Sequence, residues 1–162
     1  VIGSTTSVDT IQVGSGTNIL NLGAGTYNVT EGNGADTIIL GDGKYNVTAG
    51  HDTPDQFIYS TPAGLLAMSF ASNDELVFRN SGFDLGVDNG LGTATLQAIA
   101  ATLFSPHTDG TFATAANRFA YDQSTGNLYY DAAGSTRGSS RALIADFTNK
   151  PHLTAADLFF TS

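Results

Sequence analysis

Residues 13–57 read VGSGTNILN, LGAGTYNVT, EGNGADTII, LGDGKYNVT and AGHDTPDQF when cut into blocks of nine. Glycine holds the second place of all five blocks, at Gly14, Gly23, Gly32, Gly41 and Gly50. It also holds the fourth place of four, at Gly16, Gly25, Gly34 and Gly43. The eighth place of these four carries Leu20, Val29, Ile38 and Val47. An earlier block, Ser4 to Gln12, lacks the glycines but keeps Asp9 at the sixth place and Ile11 at the eighth. A G-x-G-x-[D/N] stretch makes a turn, because glycine accepts positive φ and Asp or Asn bonds its own backbone. The next three residues, with one apolar side chain facing inward, form a minimal strand. Two blocks close one coil, and coils stack about 4.8 Å apart through strand hydrogen bonds. Such coils have a thin apolar core, so cations held between stacked turns would have to supply the missing stability.

The composition of the 162 residues agrees with this reading. Six Lys and Arg against fifteen Asp and Glu give a formal charge of −9, and thirteen of those fifteen acids are Asp. Nineteen glycines are well above the usual share, while charged residues, at 13%, are about half of it. No basic cluster exists, so phosphate-backbone binding has no electrostatic footing and nucleic acid is excluded as a partner. The absence of cysteine rules out disulfides, thiolate metal sites and cysteine nucleophiles, and fits either side of a bacterial envelope. Apolar runs are too short to insert in a membrane. The chain starts at Val1 without a charged n-region and h-region, so no classical signal peptide is expected.

The blocks resemble the nonapeptide G-G-x-G-x-D-x-U-x of RTX (hemolysin-type calcium-binding) proteins, which fold as a parallel β-roll. The resemblance implies that sixth-place side chains and turn carbonyls ligate calcium between alternate blocks. One stack of turns would then use Asn18, Asp36 and Asp55, the last one place late because of the extra residue around Pro54, with Asp52 as a nearby substitute and turn glycines Gly32, Gly34 and Gly50. The other stack has Asp9, then Tyr27 and Tyr45 where Asp belongs, and is expected to hold no ion unless Asp42 contributes. The family's first glycine is missing from every block, replaced by Val13, Leu22, Glu31, Leu40 and Ala49. One or two Ca2+ ions are implied on one face, with a tyrosine-stacked or apolar ladder on the other.

After Phe57 the period breaks. Phe57–Tyr59 reads as a last strand, and Leu65–Phe70 and Asp74–Phe78 as two more. Thr93 to Phe104 reads as a short helix with Leu96, Ile99, Ala100, Leu103 and Phe104 on one face, stopped by Pro106. Arg118–Asp122 and Asn127–Asp131 around Gln-Ser-Thr-Gly read as a hairpin, and Ala142–Phe147 as another strand. The pattern R-F-x-Y-D-x-x-T-G-x-L-Y-Y-D-x-x-G, with the terminal L-T-A-x-D, is similar to the C-terminal region of RTX proteins exported by type I secretion. There the region caps the roll and carries an uncleaved export signal. Relatives often have D-x-D-G after the tyrosine pair, whereas Asp131-Ala132-Ala133-Gly134 lacks the second Asp.

Catalytic patterns are missing. His51, His107 and His152 form no ligand motif and read as surface residues, and no G-x-S-x-G elbow opens a helix. The carboxylate pairs Asp74/Glu75 and Asp122/Asp131 read as turn acids. Stacked Tyr27 and Tyr45 read as a structural ladder in preference to a sugar platform.

The expected fold is all-β: a short right-handed parallel β-roll over residues 1–58, then an antiparallel β cap with one short helix over 59–162. The expected function is that of a non-catalytic C-terminal module of a type I secreted bacterial protein, located outside the cell or on its surface. Calcium would drive folding after export, and the type I secretion machinery would read the tail. The alternatives are a surface-layer or adhesin module that self-assembles or binds cell-surface polysaccharide, and the tail of an extracellular protease, lipase or alginate epimerase.

Overall fold

The computed structural model describes residues 7–50, 53–85, 96–134 and 141–161. Eight short strands run in sequence: β1 (Val8–Gln12), β2 (Ile19–Leu22), β3 (Thr26–Thr30), β4 (Thr37–Leu40), β5 (Lys44–Thr48), β6 (Gln56–Tyr59), β7 (Leu65–Met68) and β8 (Glu75–Arg79). Odd strands stack in parallel on one wall and even strands on the other, as the nonapeptide period requires. The register confirms the expected columns. Asp9, Tyr27, Tyr45 and Leu66 are successive partners on one wall, and Leu20, Ile38, Phe57 and Leu76 on the other. Strand periodicity does the sorting: in β3, Tyr27 and Val29 are buried while Asn28 and Thr30 face solvent.

Parallel stacking continues where the sequence period has gone. Strands β7 and β8 lie on β5 and β6 in the same sense. The solenoid has about five coils, and the fifth is built from the far end of the chain. Strand β13 (Ala142–Phe147) pairs in parallel with β7, and β14 (Leu158–Thr161) in parallel with β8. Between β8 and β13 the chain adds β9 (Gln97–Ala98), β10 (Phe104–His107), β11 (Phe119–Asp122) and β12 (Asn127–Tyr130). The expected hairpin is β11–β12, with Gly126 at φ +90° in its loop. Strand β12 is also antiparallel to β13, β9 antiparallel to β14, and β10 parallel to β11. The fold is therefore all-β, with a parallel solenoid extended by antiparallel strands.

The expected helix from Thr93 to Phe104 is corrected over its described part, residues 96–104. Gln97–Ala98 is a strand, Ala101–Leu103 a single 3-10 turn, and Phe104 opens β10. An isolated helix of that length is marginal in water, and here two sheet edges compete for its backbone. Strand β14 takes Gln97 and Ala98, and β11 takes Phe104 to His107, where Pro106 already disfavours helix.

The core thickens toward the added strands. One inward column runs Leu22, Leu40, Tyr59, Phe78, Phe160. Aromatic rings collect at its end: Phe78 packs on Tyr59 at 5.2 Å, Phe83 at 5.0 Å and Phe119 at 4.4 Å between centroids. The Tyr59 hydroxyl donates to the Ile144 carbonyl at 3.1 Å, tying the third coil to the fifth.

At the other end, close stacking of turns demands glycine. A Cβ on Gly34 would collide with the Gly16 carbonyl, whereas one on Gly14 meets nothing within 4 Å. Gly34→Ala is expected to destabilise by about 1–3 kcal/mol through forced separation of the coils. Gly14→Ala should leave the urea midpoint nearly unchanged, and equal midpoints for the two variants would refute the stacking account.

Candidate functional site

The side chains that immediately precede β4, β6 and β8 form a continuous buried ladder. Asp36, Asp55 and Asp74 are each no more than 2% exposed. Each gives its Oδ1 to the backbone N–H one coil down: Asn18 N–H donates to Asp36 (2.8 Å), Asp36 N–H to Asp55 (2.8 Å) and Asp55 N–H to Asp74 (3.2 Å). Asn18, Asp36 and Asp55 thus stand in the column that the sequence assigns them. Asp74, which the sequence reading set apart as a turn acid, extends it by one coil.

The first turn of this stack is satisfied from within. The Asn18 side-chain nitrogen donates to the Gly14 carbonyl (3.2 Å), the Gly16 carbonyl (2.9 Å) and Asp36 Oδ1 (2.9 Å). Three oxygens therefore converge on one amide donor. One coil up, the equivalent place is held by Asp36, a carboxylate with no proton to donate. Its Oδ2 is buried and has no hydrogen-bond partner. Both carboxylate oxygens of Glu31 are likewise buried and unpartnered, and the residue is 7% exposed. Burial pushes the Glu31 carboxyl up to about 8, helped by the negative charges of Asp55, Asp36 and Asp74. Sequence reading passed over Glu31, noting it only as a replaced glycine. The signal was an acid in an inward column otherwise occupied by Val13 and Ala49.

These atoms fit a hard cation. The three orphaned oxygens are carboxylate oxygens, the donors calcium takes, and Glu31 lies within electrostatic reach of Asp55, Asp36 and Asp74. Among the described residues no three His, Cys, Asp or Glu side chains group closely enough to hold a metal by themselves. An ion here would therefore also need backbone carbonyls. A Cβ on Gly32 would strike Gly14, and one on Gly50 the Gly32 carbonyl, so glycine is what lets these turns stack in contact. Asp52 lies outside the described residues.

The other stack is organised by tyrosine. Tyr27 and Tyr45 are buried, with rings parallel within 10° and 5.5 Å apart. The Tyr45 hydroxyl accepts from the N–H groups of Gly41 (2.9 Å) and Gly43 (3.0 Å) and donates to the Gly23 carbonyl (2.7 Å). One phenol satisfies the turn amides and a carbonyl below, leaving no donor deficit of the kind seen at Asp36. Asp42 faces solvent and accepts from the Thr61 hydroxyl. Because the rings point into the core, they offer no platform to a sugar.

Asp122 and Asp131 are turn acids as their sequence context indicates, whereas Asp74 belongs to the ladder and Glu75 opens β8. Burial alone would raise the Asp122 carboxyl, but hydrogen bonds from Ser124 and Thr125 outweigh it and hold it low. Asp131 accepts from Ala133 N–H at 2.9 Å, and Glu75 accepts from the Gln56 amide at 2.8 Å. His107 and His152, distant in sequence, meet at one apolar cleft of about 540 Å³ beside Phe104, Pro106 and Leu153. His51 lies outside the described residues. No described helix is long and apolar enough to cross a membrane. Comparison with protein-family models, with curated proteins and with solved structures returned no match, so the assignment rests on the chain's own geometry.

Proposed function

We propose that this chain is a non-catalytic, calcium-dependent solenoid module of the RTX kind, from a bacterial protein exported by type I secretion. The observation that carries the reading is the donor deficit at Asp36: an amide fills the turn below, and an unpartnered buried carboxylate oxygen replaces it. Calcium would supply the positive charge that this turn lacks. Asp36 would present its free Oδ2 to the ion, with Glu31 and the carbonyls of the Gly32 and Gly34 turn around it. Asp55 orients Asp36 through the backbone N–H, and Asn18 closes the ladder from below. Without the ion, like charges in a low-dielectric interior repel and disfavour stacking. That favours an extended chain in a calcium-poor cytosol and a folded one in millimolar calcium outside.

The tail supports the same order of events. Leu153, Leu158 and Phe160 are buried in the fifth coil and beside it. A secretion machine reading this segment would have to read it before the solenoid closes.

Calcium titration of the metal-stripped chain, followed by far-UV circular dichroism and calorimetry, tests the reading. A coil-to-β transition at sub-millimolar to millimolar calcium is expected, lost in Asp36→Ala. Asp36→Asn, which copies the amide of Asn18, should keep the fold while abolishing binding at that turn. A stripped chain that is fully folded and takes up no calcium would end the proposal. Calcium-dependent self-association in sedimentation would shift the assignment to a surface-layer or adhesin module, while a monomer favours the tail of an extracellular enzyme.

A further inference from the structure

We propose that Glu31 is a second carboxylate ligand of the ion at the Asp36 turn, reaching it from the core side of the solenoid. The inference rests on the calcium reading above and adds a residue outside the repeat's sixth-place pattern. Glu31 stands one place before the glycine turn and follows β3, in an inward column that places Val13 below it and Ala49 above. Its backbone N–H donates to the Thr48 carbonyl at 2.9 Å, which holds the residue in register at this inward position, where it is 7% exposed.

Three explanations compete for its two orphaned oxygens. A proton on Glu31 supplies one donor for three unpartnered oxygens and leaves the site negative beside the aspartate ladder. A buried water supplies two donors and no charge. A divalent cation between Glu31 and Asp36, whose charges already act on one another, would supply positive charge to the orphaned oxygens and cancel both charges. Leaving two carboxylates buried and unpaired would cost several kcal/mol, so a compensating charge is the physically economical solution. A monovalent ion would leave net negative charge. Mg2+ demands near-ideal octahedral geometry and keeps several waters, which suits a closed turn poorly. The site should therefore prefer Ca2+, and lanthanides of similar size, over Mg2+ and Na+.

The test uses the full chain, stripped of metal, with Ca2+, Mg2+ and Tb3+ as probes in calorimetry and terbium luminescence. Glu31→Gln keeps the shape and removes the charge, while Glu31→Val copies Val13 of the same column. Both are expected to weaken Ca2+ binding at the Asp36 turn by at least about tenfold. Glu31→Val should also raise the β content seen by circular dichroism in chelator, because no carboxyl then has to be buried. If wild type binds calcium and Glu31→Gln binds it with unchanged affinity and stoichiometry, Glu31 is no ligand and the inference falls, while the calcium reading stands. If wild type binds no calcium at all, both fall. The glutamine variant keeps the test decisive should the valine variant fail to fold.

Discussion

Phe78→Ala is expected to cost about 3–5 kcal/mol in calcium-saturated conditions, the range for removing a fully buried aromatic ring. Phe78 is 0% exposed and sits between Tyr59 and Phe160 in the inward column. It also touches Phe83 and Phe119, from segments that the repeat does not include. Alanine would open a cavity where the coils, the following loop and the hairpin meet, and neighbours anchored in two sheets could not collapse into it. Since a domain of this size holds only about 5–15 kcal/mol of total stability, a large part would be lost. Urea unfolding followed by tyrosine fluorescence and circular dichroism measures it. A loss below about 1.5 kcal/mol would show that this aromatic cluster does not join the hairpin to the coils. Probes that separate into two transitions would show the solenoid and the added strands unfolding independently.

Acidification should stabilise the metal-free chain, opposite to the usual behaviour of an acidic protein with paired carboxylates. The folded-state carboxyl of Glu31 is raised to about 8 from an ordinary 4.5 by burial and by Asp55, Asp36 and Asp74. Between those values the folded chain holds a proton that the unfolded chain releases. Stability from this group is therefore complete below about 4.5 and is lost as pH rises through about 8, at no more than about 1.4 kcal/mol per pH unit. Below about 4 the sign turns, because Asp109 and Asp122 have depressed carboxyls whose contribution disappears as they protonate. Far-UV circular dichroism in chelator should show the β-structured fraction climbing from pH 8 to pH 5. In calcium the slope should flatten or reverse, since protons and the ion compete for the same oxygens. A flat profile in chelator, or the same slope in Glu31→Gln, would exclude Glu31 as the source.

Much of the candidate site was legible before any coordinates, and the reason is local. Asn18 and Asp36 fall in one column because glycine pairs at fixed spacing place their turns at the same point of the coil, and Asp55 joins it one residue late. The tyrosine substitutions at Tyr27 and Tyr45 likewise marked the two stacks as chemically different. What spacing could not show is how each turn meets its hydrogen-bonding needs. Asn18 works as a donor, with its amide nitrogen on two glycine carbonyls and a carboxylate. Asp74 joined the ladder only through the Asp55 N–H, across an interval that the nine-residue period no longer keeps.

The sequence by itself determined the repeat unit: turn, short strand, inward column and parallel stacking of the first coils. These follow from glycine conformation and strand periodicity within a few residues, and a one-residue slip would turn each apolar column outward. Tertiary structure alone decided the rest. Strands β13 and β14 close the solenoid as a fifth coil because β7 and β8 still offered unpaired edges, and edge pairing outweighs chain distance once the ends are brought together. Edge pairing with β14 and β11 likewise drew Gln97–Ala98 and Phe104 out of the expected helix. Glu31 acquired its meaning in the same way, since an acid becomes a site only when folding removes its water and surrounds it with other acids.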